Sequence, residues 1–374
     1  MFDTFNGYYR GKRVMVTGHT GFKGAWLAIW LYHLGAEVTG YALEPPTEPS
    51  VFVVSDLARH VTDIRADVRQ FDRLSRAIAE HRPEIIFHLA AQPLVRTSFS
   101  EPRQTFDVNL LGTVNVLDAA LRCEAVRAVV AITSDKCYRN VGREHGYRET
   151  DTLGGYDPYS ASKACAELAI RVYQDERFQR VSAGRDLAVA SARAGNVIGG
   201  GDWARDRIVP DLIRAMAAGA DLEIRNPDAT RPWQHVLEPL SGYLWLGALL
   251  ESNEALRTSW NFGPDEGRAY TVLDLVSKLI RRFRPGDTRL VIKPDITGAE
   301  ARLLQLDCNK AHAQLDWRPT YDLDRTLDAI VEWFVAADTP GDDMFERTRE
   351  QIERYTALAR EKGVPWALAT EIQP

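Results

Sequence analysis

The chain has 374 residues, enough for one large α/β domain with a smaller companion. Its 45% hydrophobic and 26% charged residues are ordinary for a globular protein. The net charge of −6 gives no electrostatic footprint for nucleic acid or an anionic membrane surface, so neither is an expected partner. Residues 1–11 are polar and aromatic, without a basic start or an apolar core, and the apolar stretch 25–34 is too short to span a bilayer. Cys123, Cys137, Cys165 and Cys308 show no paired metal-ligand spacing and read as reduced, packed thiols. A cytoplasmic chain without a bound metal is the expectation.

In chain order, residues 13–17 form an apolar run that enters a glycine cluster, and residues 24–34 follow as a helix. Residues 38–43, 84–90, 127–133 and 187–192 read as further strands, the middle two of the fully buried type. Between them, Leu110, Val114, Leu117 and Leu121 recur at helical spacing over 109–122. Strands alternating with helices predict a Rossmann-type, doubly wound parallel sheet with right-handed crossovers. Ligands then belong beyond the carboxyl ends of the strands. After about residue 195 the chain changes to glycine turns and proline-interrupted segments, with later helices at 272–283 and 323–336 and a solvated amphipathic helix over 342–362. The expected division is a cofactor-binding domain over 1–194, completed by about 235–262, and an interleaved substrate-binding portion over 195–374.

Two constellations carry chemistry. Gly18-His19-Thr20-Gly21-Phe22-Lys23-Gly24 stands between a strand and a helix, where glycines allow a tight turn and backbone N–H groups meet a pyrophosphate at the helix N-terminus. Its G-x-x-G-x-x-G spacing differs from the commoner G-x-G-x-x-G. The end of the second strand offers no clear acid for a ribose and no arginine for a 2′-phosphate, which favours NAD over NADP. Asp67-Val68 is a candidate adenine contact, weighed against a plain solvated loop. The second constellation is Tyr159 and Lys163, four residues apart and so on one helix face. An ammonium near the phenol lowers its pKa and fits it to take a proton. Thr133-Ser134-Asp135-Lys136, at a strand end, faces the same crevice, with Ser134 placed to hydrogen-bond the substrate hydroxyl.

These motifs, with Leu89-Ala90-Ala91, Asn109-Leu110-Leu111-Gly112-Thr113, the 193–203 segment and the 231–236 segment, resemble the extended short-chain dehydrogenase/reductase family and its sugar-nucleotide 4,6-dehydratase branch. The resemblance covers about residues 10–335. It implies NAD as cofactor and a nucleotide sugar as substrate: hydride leaves sugar C4, water is lost across C5 and C6, and hydride returns to C6. Carried over by position, Tyr159 is the O4 base, Lys163 its electrostatic partner, Ser134 its hydrogen-bond partner and Asp135 the acid for the departing hydroxyl. Lys136 stands where dTDP-glucose and GDP-mannose relatives have a glutamate, which points to CDP-glucose and to C5 deprotonation by lysine; stabilising the enolate or pairing with Asp135 is the plainer alternative. Gly18, His19, Gly21, Phe22, Lys23, Gly24, Leu89, Ala90, Ala91 and Thr133 are the expected cofactor wall. Gln92, Arg96, Asn196, Arg207, Arg231 and Arg302 are the expected substrate contacts. A homo-oligomer is also implied. The competing readings are a dTDP- or GDP-sugar dehydratase, a 4-epimerase and a non-enzymatic NAD sensor.

Overall fold

The computed structural model describes residues 4–143, 145–265, 270–283, 289–293 and 304–368. Six strands, β1 (Arg13–Thr17), β2 (Glu37–Ala42), β3 (Thr62–Arg65), β4 (Ile85–His88), β5 (Ala128–Ile132) and β6 (Ala188–Arg193), join Ser259–Asn261 in one seven-stranded sheet. The order is Ser259–Asn261, β6, β5, β4, β1, β2, β3, and every pairing is parallel. The order reverses between β1 and β4, so the loops after these two strands diverge and open a crevice. This is the Rossmann-type sheet that the alternating pattern predicts.

Burial explains why the strands read as they do. Every residue of β4, β5 and β6 is buried, because helices cover both faces of the sheet. Helix Phe22–His33 is apolar all round and lies between the sheet and helix Met344–Glu361. It begins two residues before the predicted start, capped at Gly21 without a side-chain acceptor, and ends before Gly35 in the left-handed region. The predicted 109–122 helix starts as a π-turn over Asp107–Leu111 and continues as an α-helix over Gly112–Arg122. The extra residue of the π-turn sets the buried Asn109 side chain on Gln92 and Ser162 instead of letting it face solvent.

The solvated helix expected over 342–362 is the main difference. Met344, Phe345, Ile352, Tyr355 and Ala359 of helix Met344–Glu361 are buried, with Tyr355 against Trp30 and Trp366 and Phe345 stacked on His60, while its arginines and glutamates form the outer face. Helix Leu237–Leu250, almost wholly buried, packs under β5 and β6. The remaining strands are short pairs: Val197–Ile198 with Gln234–His235, Thr230–Arg231 with Tyr270–Thr271, and Leu222–Ile224 with Leu290–Ile292. Among the described residues no helix is long and apolar enough to cross a membrane, and no group of three His, Cys, Asp or Glu side chains is placed to hold a metal. All four cysteines are free.

Candidate active site

The first wall of the crevice is the turn after β1. Gly18 has φ +78°, and a Cβ there would lie 2.7 Å from the Ala90 nitrogen. At Gly24 a Cβ would lie 2.1 Å from the Gly18 carbonyl oxygen. Both positions therefore need glycine, one for conformation and closeness, the other for closeness alone. The turn leads into the uncapped N-terminus of helix Phe22–His33, where partial positive charge and free N–H groups suit a pyrophosphate. Leu89, Ala90 and Ala91 leave β4 on the opposite side of the switch point, half-buried.

A buried polar chain ties these loops together. Thr113 gives its hydroxyl proton to the Asn109 carbonyl (2.7 Å), so it can only accept from His88 Nε2 (3.0 Å). His88 Nδ1 is then bare and accepts from the Thr17 hydroxyl (2.7 Å), which itself accepts from the Ala90 N–H (3.2 Å). Burial, and the nearby Lys163 ammonium, push the His88 pKa down to about 3, in keeping with a neutral ring of one fixed tautomer.

The second wall comes from the end of β5 and helix Pro158–Gln174. Asp157 caps that helix through the Ser160 N–H (2.9 Å), which aims its first turn at the crevice. Tyr159, Lys163 and Glu167 follow at intervals of four on one buried face. Ser134 is the hydrogen-bonding neighbour of the Tyr159 hydroxyl, and its one proton can go either there or to Asp135 Oδ1 (2.9 Å). Asp135 is buried, and its Oδ2 has no hydrogen-bond partner among the described residues. That oxygen fills the space a side chain at residue 195 would occupy: a Cβ on Gly195 would lie 1.9 Å from it. Lys136 is half-buried at the same turn.

The electrostatics depart from the sequence expectation in one respect. Burial raises the Tyr159 pKa to about 12, against the Ser134 hydrogen bond and the Arg207 charge, which lower it, while Asp135 raises it further. Lys163 points its ammonium at the Ile132 carbonyl (3.4 Å) and is itself brought down to about 8 by burial, against the opposing pull of Glu167. The i, i+4 spacing puts both groups on one face, but the lysine is turned toward the sheet. In the free protein the phenol therefore stays protonated. Lys23, from the glycine loop, lies with its ammonium 5.9 Å from the centre of the Tyr243 ring. Burial, with Lys163 and Arg207, brings it to about 7.

Behind this cluster Glu167 accepts from Thr133, Ser191 (2.8 Å), Ser259 (3.2 Å) and Arg193 (2.8 and 2.6 Å). Arg193 also donates to the Tyr138 hydroxyl (2.6 Å), which donates to Asn261 (2.7 Å). One buried carboxylate thus connects the helix of Tyr159 to the ends of β5, β6 and Ser259–Asn261.

The other sequence candidates divide. Arg207 pairs with Asp202 (2.8 Å) and its charge reaches Tyr159, so it lies at the site. Asn196, at φ +51°, has a buried amide nitrogen without a partner, next to the Gly195–Asp135 contact. Gln92 uses its amide within its own loop, on Thr105 (2.9 Å) and Leu94 (2.6 Å). Arg96 is half exposed and pairs with Asp206 (3.2 Å), and Arg231 donates to the Thr230 carbonyl (3.0 Å) on its short strand. Arg302 lies outside the described residues. His19 turns its ring onto Gly40, where a Cβ would lie 2.2 Å away, and donates to Asp63 (2.8 Å). Asp67 is held by Arg69 (2.9 and 2.6 Å), and Val68 packs on Gly112. Phe22 closes the turn near Gly199. Sequence reasoning missed Glu167, Arg193 and Tyr243. Glu167 had a signal, because it continues the Tyr159–Lys163 spacing by one more turn. Tyr243 had none, since only the packing of helix Leu237–Leu250 brings it here.

A glycine turn without room for Cβ atoms, an uncapped helix N-terminus and unpartnered polar atoms on Asp135 and Asn196 together fit a dinucleotide with a sugar substrate beside it. Residues 15–330 match the GDP-mannose 4,6 dehydratase family. The chain belongs to that family. It is 45% identical over 350 residues to the CDP-glucose 4,6-dehydratase of Salmonella typhimurium, covering 93% of this chain and 97% of that protein. Among solved structures, the dTDP-glucose 4,6-dehydratase of Streptomyces venezuelae with NAD and TYD bound superposes with a TM-score of 0.71 at 22% identity, over 86% of this chain and 97% of that one. The UDP-glucose 4-epimerase of Thermotoga maritima does so with a TM-score of 0.71 at 24% identity, over 86% and 98%. At these identities the structural likenesses show the fold that dehydratases and epimerases share.

Proposed function

We infer that this chain catalyses the NAD-dependent 4,6-dehydration of CDP-D-glucose to CDP-4-keto-6-deoxy-D-glucose. The observation that carries the reading is Ser134-Asp135-Lys136 beside Tyr159, in a chain 45% identical to a CDP-glucose 4,6-dehydratase along nearly its whole length. A 4-epimerase needs only the tyrosine and lysine; an acid and a base at the next strand end suit elimination. An NAD sensor has no need of either.

Gly18, Gly21 and Gly24 with the helix N-terminus would hold the NAD pyrophosphate, and Lys163 and Thr133 are assigned to its nicotinamide end. NAD bound there would supply the acceptor for the C4 hydride and its donor back to C6. Tyr159 takes the O4 proton, with Ser134 and Arg207 favouring the phenolate. The C4 ketone acidifies C5, and Lys136 is assigned the removal of the C5 proton. Asp135 is assigned the protonation of the C6 hydroxyl as its C–O bond breaks, a role that its buried, unpartnered Oδ2 supports. Arg207 and Arg231 are assigned to the diphosphate, for which a planar guanidinium fork is suited.

Exposed apolar side chains at Leu168 and Val172, with Leu111 on the segment that packs against their helix, support association into a homo-oligomer. A cytoplasmic place of work is part of this proposal, in keeping with the chain's four free cysteines. The purified protein incubated with NAD and CDP-, dTDP- or GDP-linked sugars tests the function. A 4-keto-6-deoxy product, read by its absorbance in alkali, is expected from CDP-glucose. Product from another nucleotide alone, or inversion at C4 without dehydration, overturns the reading.

A further inference from the structure

The residues around the end of β2 carry an inference about which dinucleotide the site admits, and it rests on the dinucleotide reading above. In sheets of this order the adenosine ribose lies beyond the end of the second strand, where an acid receives the 2′-hydroxyl or an arginine receives a 2′-phosphate. Here β2 ends in Gly40-Tyr41-Ala42 and has neither. The structure fills the place from β3. Ala42 is in register with Arg65, and Gly40 with Asp63. The Arg65 guanidinium crosses back over the end of β2 to the Leu43 carbonyl (3.2 Å), so an arginine does stand where the sequence shows none.

That arginine is occupied. Asp63 Oδ2 takes its Nε (3.1 Å) and Nη2 (2.9 Å), Glu44 approaches Nη1 at 3.4 Å, and the Phe52 ring lies 4.6 Å beneath it. The second oxygen of Asp63 is fixed by His19 of the glycine loop (2.8 Å), and Thr20 of the same loop donates to the Leu43 carbonyl (3.0 Å). The cofactor turn, the end of β2 and this ion pair are therefore one connected unit. The other arginines close by are engaged too: Arg69 with Asp67, and Arg73 with the Arg65 carbonyl (2.8 Å). Burial lowers the His19 pKa, against the pull of Asp63.

We propose that Asp63 and Glu44 clamp Arg65 so that this corner accepts the 2′-hydroxyl of NAD and refuses the 2′-phosphate of NADP. A hydroxyl donates to a carboxylate at no electrostatic cost. A phosphate brings close to two negative charges against Glu44 and Asp63 and finds the guanidinium fork already taken. The discrimination lies in the carboxylates, and Arg65 is a latent phosphate receiver.

Equilibrium binding of NAD and NADP to the full chain, by titration calorimetry at low salt, tests this without any turnover. Glu44 is 79% exposed, so Glu44→Gln leaves the fold intact. The variant is expected to lower the NADP Kd by about tenfold, the size of removing one charge several ångströms from a phosphate, while the NAD Kd moves by less than about threefold. Added Arg65→Gln should abolish that gain, and potassium chloride should shrink it. An unchanged NADP Kd in Glu44→Gln, or a gain that survives Arg65→Gln, overturns the clamp. Failure of the unaltered chain to bind either dinucleotide overturns the proposed function instead.

Discussion

The two walls of the crevice are built on different physics. On the wall formed by β5, β6 and helix Pro158–Gln174, the ion pair between Arg193 and Glu167 is 0% and 1% exposed, with every acceptor position of the carboxylate engaged. On the facing rim, Arg96 and Arg225 share Asp206 with all three side chains more than a third exposed. A buried pair like the first cannot exchange partners without stranding a charge, so it fixes geometry. The exposed pairs are worth little in themselves and are screened by salt, so incoming phosphates can displace them. The reacting groups sit on the rigid wall, and the groups assigned to the nucleotide stand toward the exchangeable one.

Substitutions can break or sharpen this contrast. The largest effect is expected at the reacting groups: Tyr159→Phe and Lys136→Ala should each lower kcat by roughly a hundredfold or more with the fold retained. Solvent deuterium entry at C5, followed by mass spectrometry, separates the two roles. Loss of exchange in Lys136→Ala with the C4 oxidation kept is expected; undiminished exchange would remove Lys136 from the mechanism. Next in size is Glu167→Leu, which leaves Arg193 buried and unpaired and should cost about 3–5 kcal/mol in denaturant unfolding. A cost near zero would mean that the rigid wall is not held by this pair. Gly24→Ala drives a methyl into the Gly18 carbonyl and should weaken NAD binding by about tenfold or more, measured by titration, with a smaller loss of melting temperature.

Acid should act at the end of β4, beside the rigid wall. His88 is neutral in the fold with its pKa brought down by burial to about 3, whereas the unfolded chain titrates near the ordinary value of 6.5. Between these values the unfolded state binds the extra proton, so the stability owed to neutral His88 is full above pH 6.5 and is lost as pH falls toward 3, by up to about 1.4 kcal/mol per unit. His235, also brought to about 3 by burial, adds to the slope. Unfolding midpoints measured against pH should be flatter in His88→Asn than in the unaltered chain. The smallest effect is expected on the exchangeable rim: Asp206→Asn should change unfolding free energy by less than about 1 kcal/mol, and any change in KM for the nucleotide sugar should fade with added salt. A large stability loss there would erase the contrast between the walls.

Much of the site is legible in the residues themselves. Apolar runs at 13–17, 84–90 and 127–133 report full burial, and the glycines of the first turn report a backbone too close for side chains. Tyr159 and Lys163 share a face because an α-helix repeats every 3.6 residues. Ser134-Asp135-Lys136 falls at a strand end, where a doubly wound sheet puts its chemistry. The helix over 342–362 misled for a physical reason: its abundant arginines and glutamates describe only the outer face, while spaced Met344, Ile352 and Tyr355 seal the core.

The local pattern of the chain thus determined the sheet, the turn and the reacting trio, since each depends on spacing along one element. Tertiary structure alone decided the electrostatics and the partnerships. Burial, not the neighbouring lysine, sets the Tyr159 phenol at about 12, because desolvation depends on everything packed around the group. Only parallel pairing of β3 with β2 carries Arg65 and Asp63 to the end of a strand whose last residues, Gly40-Tyr41-Ala42, bear no charge. Contacts between residues far apart in the chain leave no periodic trace in it, and it is these contacts that bring Arg193 to Glu167 and Tyr243 to Lys23.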